Sequence, residues 1–162
     1  MAIDRRTFVG LTGAAAMGGL ILFGRSGSAA PAAHFPVQHS SAEWLRLLGP
    51  ERYDVLRRAA TERPFSSPLL NEHRRGSFAC AGCANLLFNS TTKFDSGTGW
   101  PSFWQVLPHH VVMRADHSLL MERTEVLCAT CGGHLGHVFE DGPRPTGLRY
   151  CMNGLAMTFR PA

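Results

Sequence analysis

Two matching cysteine knuckles, Cys80-Ala81-Gly82-Cys83 and Cys128-Ala129-Thr130-Cys131, constrain this chain more than any other feature; 44 residues separate them. Each follows a short strand-like run and is followed by a small residue or a glycine. Two such knuckles supply four thiolates that can close tetrahedrally on one ion, and four-cysteine coordination is a common structural use of zinc. The gap exceeds the loop of a simple zinc ribbon, so a single ion would tie together distant parts of the chain. Two disulfides are the alternative in an exported protein. A thioredoxin-like redox pair is another, although no βαβ pattern surrounds either motif. The shared spacing and context favour one zinc ion per chain. Such sites contribute on the order of 10 to 16 kcal/mol, against a whole-domain stability of about 5 to 15 kcal/mol. Loss of the metal is therefore expected to unfold the domain or come close to it.

What surrounds the knuckles reads as mainly β. With 162 residues, 44% hydrophobic and 17% charged, the chain has room for one globular domain. Ser41 can cap a short helix that carries Trp44, Leu45 and Leu48 on one face and stops at Gly49-Pro50. A second helix is expected over 51–60, with Tyr53, Leu56 and Ala60 at helical spacing. From Gly76 onward the apolar runs are short, at 78–80, 86–88, 111–113, 119–121, 125–127 and 156–159, and are bounded by Gly, Pro, Asn or Asp. That is the pattern of antiparallel strands. Asp116 and His117 are expected to form a hairpin turn between two of them.

The first 33 residues read as an address, with the folded domain expected over 34–162. Arg5-Arg6 is followed by Phe8, which opens an uncharged Gly- and Ala-rich run of 17 residues to Gly24, and then by small residues suited to cleavage. The segment resembles a twin-arginine export signal, which implies a periplasmic protein that folds around its metal before export. The alternative is an uncleaved signal that anchors the chain to the membrane. The net charge of +4 falls to +2 once the first 30 residues are set aside, too little for a nucleic-acid footprint.

A fifth cysteine, Cys151, has no partner once the other four hold metal. A buried free cysteine is usually inert. Here, however, Arg149 and Asn153 lie two residues away on either side and would share its face on a strand, where a cation favours the nucleophilic thiolate. His134 and His137 lie three apart in a short Gly-flanked segment and can approach one locus; imidazole titrates near neutral pH, as an acid catalyst requires. The other histidines (His34, His39, His73, His109, His110 and His117) read as surface or turn residues.

Four segments carry a resemblance: Lys93-Phe94-Asp95-Ser96-Gly97-Thr98-Gly99-Trp100-Pro101-Ser102-Phe103; Arg123-Thr124-Glu125-Val126; Gly133-His134-Leu135-Gly136-His137-Val138-Phe139; and Asp141-Gly142-Pro143-Arg144-Pro145-Thr146-Gly147 with Arg149-Tyr150-Cys151. They resemble the peptide-methionine (R)-S-oxide reductases, the B-type methionine sulfoxide reductases, over about residues 41–159. The resemblance implies a tent-like fold of two antiparallel sheets with short N-terminal helices, and a zinc remote from the chemistry. It further implies that Cys151 attacks the sulfoxide sulfur and becomes a sulfenic acid, and that His137 donates the proton. His134 and Asn153 would orient the oxygen, Trp100 would receive the methyl group, and Arg149 and Asp141 would set the electrostatics. The implied substrate is methionine (R)-sulfoxide, free or in oxidised proteins, and the protein is expected to act as a monomer.

One departure from the family pattern bears on the mechanism. Many members carry a resolving cysteine where this chain has Thr98, so here an external, thioredoxin-like thiol is expected to regenerate Cys151. Two other readings remain at this point. A zinc-ribbon binding module would be indifferent to Cys151→Ser, and a thiol peroxidase would use Cys151 but have no need of Trp100.

Overall fold

Ser40, not Ser41, opens the first element. Its side chain accepts the N–H of Glu43 at 3.3 Å while the Glu43 carboxylate accepts the N–H of Ser40 at 2.8 Å, a reciprocal capping box. The element, α1 (Ser41–Arg58), is two helical segments joined at a kink, because Gly49 takes a left-handed φ of 70° directly before Pro50. The expected break at Gly49-Pro50 is therefore present. The second segment stops two residues short of Ala60, where Ala59 turns left-handed at φ 55°. Trp44, Val55 and Leu56 bury the inner face.

The computed structural model describes residues 34–118 and 122–162; the expected signal segment and the apolar run 119–121 lie outside them. Two antiparallel sheets follow α1, as the strand pattern predicts. A three-stranded sheet has the order β2 (Leu86–Asn89), β1 (Gly76–Cys80), β9 (Met157–Pro161). A six-stranded sheet has the order β3 (Lys93–Phe94), β4 (Ser102–Phe103), β8 (Arg149–Met152), β7 (His134–Phe139), β6 (Arg123–Cys128), β5 (Val111–Asp116). No helix among the described residues is long and apolar enough to cross a membrane.

The core lies where the sheets face each other under the helix. Phe88 of the small sheet stacks on Phe103 of the large one with ring centroids 4.2 Å apart, and Phe78 meets Phe103 edge-on at 4.9 Å. Leu56, Leu135, Met152 and Met157 are fully buried around them. Two expectations change at the strand ends. Asp116 is not a turn residue, because β5 runs on to it and pairs it with Arg123. Asn153 does not continue the strand of Cys151: β8 ends at Met152, and Asn153 begins a short 3₁₀ turn over Gly154–Ala156.

Candidate active site and metal centre

In the six-stranded sheet one row of residues crosses every strand: Arg114, Glu125, His137, Cys151, Ser102 and Phe94 are successive register partners. Register partners point to one face and lie about 5 Å apart at Cβ. His137 therefore stands directly opposite Cys151. The adjoining row on that face, two residues along each strand, holds Asp116, Arg123, Phe139 and Arg149.

His134 reaches the same face by a bulge. Residues three apart on a regular strand point to opposite faces. Here Val126 pairs with Gly136 and Leu127 with His134, so Leu135 is an extra residue that restores the parity. Gly136 is required at the crossing, because a Cβ there would overlap the carbonyl oxygen of Cys151.

Cys151, His137, Asn153 and Trp100 line one small cavity of about 130 Å³ together with Thr61, Arg123, Gly136 and Phe139. That volume suits a small head group rather than a nucleotide or ring system. Of the residues singled out in the sequence, four line this cavity and three do not. His134, expected beside the reacting oxygen, is only 4% exposed and is not a lining residue. Its Nδ1 donates to Glu125 Oε1 at 2.7 Å, and its Nε2 is buried without a partner among the described residues. Burial lowers its pKa despite the Glu125 contact, so the ring is neutral. Arg149 makes a bidentate pair with Asp141, both bonds at 2.8 Å, and its guanidinium lies 4.5 Å over the Phe139 ring. Asp141 meets Arg149 and neither histidine; the carboxylates that pair with the histidines are Glu125 and Asp116.

Asp116 accepts from His137 Nε2 at 2.8 Å and from Arg123 Nη2 at 2.7 Å. The Ser118 hydroxyl and N–H, with His137 and Arg123, hold its carboxyl well below the usual carboxylate range. A carboxylate accepts only, so Nε2 of His137 carries a proton and Nδ1 is the uncommitted nitrogen.

The sulfur is less acidic than its neighbours suggest. Burial pushes the Cys151 thiol above the ordinary thiol range, and the Thr98 hydroxyl, 3.8 Å from Sγ, and the Arg149 charge pull it down without prevailing. The expected thiolate is thus a protonated thiol in the free protein near neutral pH. Ser96 anchors Thr98, with its Oγ 2.8 Å from Thr98 Oγ1 and 2.7 Å from Ser102 Oγ.

All five cysteines are free, and the Sγ atoms of Cys80, Cys83, Cys128 and Cys131 lie within 4.8 Å of one another. Cys80–Cys131 and Cys83–Cys128 are 3.7 and 3.5 Å apart, too far for disulfides. A tetrahedron with metal–sulfur bonds near 2.3 Å has edges of about 3.8 Å, so the donor set fits one tetrahedral ion. Asn85 Nδ2 lies 3.5 Å from Cys128 Sγ, and its Oδ1 meets His110 Nδ1 at 2.8 Å. His110, half-buried in a turn as its sequence context suggests, thus stands behind Asn85 at the four-cysteine cluster. None of the four cysteines lines the Cys151 cavity. The cluster joins the end of β1 to the end of β6 and so fastens one sheet to the other.

Asp116, Glu62 and Thr61 carried no site signal in the sequence. Arg123, Glu125 and Phe139 did, since they lie within segments that carry the family resemblance.

A SelR domain model matches residues 48–161. The peptide methionine sulfoxide reductase MsrB of Bradyrhizobium diazoefficiens is 58% identical over 123 residues, covering 75% of this chain and 88% of the relative. Its namesake in Methanosarcina barkeri is 52% identical over 125 residues, with 76% and 88% covered. That in Agrobacterium fabrum is 53% identical over 126 residues, with 77% and 93% covered. With nearly the whole length of these relatives matched and the Cys151 cavity lined by residues inside the matched range, this chain belongs to the SelR-domain family of MsrB-type peptide methionine sulfoxide reductases.

Proposed function

We propose that the protein reduces methionine (R)-sulfoxide to methionine at Cys151, and so repairs oxidised protein methionines. The observation that carries this reading is the pairing of Cys151 with His137 across β7 and β8, inside a cavity that Trp100 closes with an apolar ring. A sulfoxide sulfur is a poor electrophile until its oxygen receives a proton or a hydrogen bond. The reaction therefore needs a nucleophilic sulfur and a proton source on one face of a small pocket.

In this reading the S-methyl group lies against Trp100 and the sulfoxide oxygen faces His137 and the Asn153 amide. Asp116 holds the His137 ring by Nε2, and His137 supplies a proton to the oxygen. The Cys151 proton leaves as sulfur attacks sulfur, aided by the Arg149 charge. The S=O bond breaks as oxygen passes to Cys151: thiol plus sulfoxide give sulfenic acid plus methionine, with Cys151 oxidised by two electrons and the substrate reduced by two. His134 stays neutral on Glu125 and braces the wall behind His137.

Thr98 offers no thiol, so an external dithiol returns Cys151 to the thiol with release of water and is itself left as a disulfide. The four knuckle cysteines would hold zinc, a closed structural site that contributes folding energy and takes no part in turnover. Residues 1–33 would direct export through the twin-arginine route to the periplasm; replacing Arg5 and Arg6 with lysine should retain the protein in the cytoplasm.

The test is a dithiothreitol-driven assay on separated R and S epimers, using protein purified with its metal counted. Turnover of the R epimer with about one zinc per chain is expected. Turnover of the S epimer alone, or no bound metal, would refute the reading.

A further inference from the structure

After Ala59 ends the helix, residues 60–66 run beside the Cys151 cavity, which Thr61 lines, and Glu62 within them is only 8% exposed. Among the described residues no cation forms an ion pair with its carboxylate. Glu62 Oε1 accepts the N–H of Gly154, and Oε2 accepts the N–H of Leu155 at 3.0 Å. Its own N–H donates to Asn153 Oδ1 at 3.1 Å, and its carbonyl accepts the indole N–H of Trp100 at 3.1 Å. One buried residue thus holds the aromatic wall of the cavity, the carboxamide wall, and the turn that carries the carboxamide. An unpaired carboxylate is expensive to bury, and an apolar side chain would fill the space without that cost.

We propose that Glu62 is a positioning residue that sets the gap between Trp100 and Asn153, and with it the size of the alkyl group the enzyme accepts on the sulfoxide sulfur. The proposal rests on the reductase reading of the Cys151 site. Because Asn153 Oδ1 is occupied by Glu62, the amide is fixed with Nδ2 as its donor, and among the described residues that nitrogen has only the Leu135 carbonyl as a partner, at a long 3.3 Å. Donor capacity is therefore left over for a sulfoxide oxygen. The Trp100 ring cannot recede while Nε1 is held. Without the carboxylate the N–H groups of Gly154 and Leu155 lose their acceptors, the turn shifts, and the loop that pins Trp100 loosens. Both walls then move, on opposite sides of the alkyl site.

The readout is the ratio of kcat/KM on methionine sulfoxide to that on ethionine sulfoxide, which differ by one methylene. A ratio divides out the fraction of folded enzyme, so a merely structural role leaves it unchanged. Full-length, metal-loaded wild type, E62A, E62D and E62Q are assayed with dithiothreitol. Because one methylene in a closely fitted pocket is worth about 10- to 200-fold, the ratio should fall at least about five-fold in E62A and E62D, and by a smaller factor in E62Q, whose amide oxygen accepts one of the two N–H groups while its nitrogen cannot accept the other. Should E62A fail to fold, E62D carries the test. An active wild type with the same ratio in E62D, whatever happens to kcat, overturns the role of Glu62 and leaves the reductase reading intact. A wild type inactive on both sulfoxides removes both.

Discussion

His137 is the cross-strand partner of Cys151, and on its other side it donates to Asp116 at 2.8 Å. The imidazole thus stands between a nucleophile and a carboxylate that fixes its orientation from behind, an arrangement suited to a general acid. Cys151→Ser should lower turnover by about a thousand-fold or more, as loss of a nucleophile does. His137→Gln should cost about a hundred-fold or more. Asp116→Asn should follow His137→Gln in kcat with KM little changed. Steady-state kinetics on the three variants checks this order, and equal activity in Asp116→Asn would refute the support assigned to Asp116.

Burial holds Cys151 protonated, opposed by Thr98 and Arg149. Alkylation by iodoacetamide should therefore show an inflection above the ordinary thiol range of about 8.5. Thr98→Val and Arg149→Met should each move it higher, because each removes an opposing influence. An inflection below that of free cysteine would contradict the account.

Thr98 Oγ1 lies 3.8 Å from Cys151 Sγ, between Gly97 and Gly99 on the chain. After one turnover without reductant, the wild type should retain a sulfenic acid that dimedone captures. In Thr98→Cys the new thiol is within reach and should condense with that acid, so dimedone labelling falls and mass spectrometry finds an internal disulfide. Persistent dimedone labelling of this variant would show that the loop cannot close.

With zinc held at the four cysteines as proposed, its removal should abolish cooperative folding, since such a site contributes about 10 to 16 kcal/mol, which matches or exceeds the stability of most domains. Circular dichroism during chelation tests this, and Cys128→Ala should behave like the stripped protein. A folded, metal-free chain with native melting would exclude a structural site.

The depressed pKa of His134 carries a sign. The native state prefers the neutral ring, whereas the unfolded chain binds a proton near pH 6.5, so stability from this group is present above that pH and is lost as pH falls through the lower native value. The stability advantage of wild type over His134→Gln should thus be largest near pH 7.5 and shrink towards pH 5. Urea unfolding at several pH values measures it. An advantage that grows on acidification would mean that His134 is charged in the native state.

The sequence by itself determined the division of five cysteines into four and one, the β-rich domain, the break at Gly49-Pro50 and the segments that place the chain in its family. These are local patterns: a repeated spacing, short bounded apolar runs, a Gly-Pro pair. What only the tertiary structure decided depends on pairing across distant residues. The bulge at Leu135 puts His134 and His137 on one face, and register, not spacing, sets His137 opposite Cys151. Asp116 reads as a turn residue in the sequence because its partner Arg123 lies across a hairpin. The protonation of Cys151 followed neighbouring charge in the sequence but follows burial in the fold, because desolvation is a property of the surrounding volume. Glu62 carried no signal at all, since its bonds span 38 to 93 residues and exist only once the loop, Trp100 and Asn153 have been brought together.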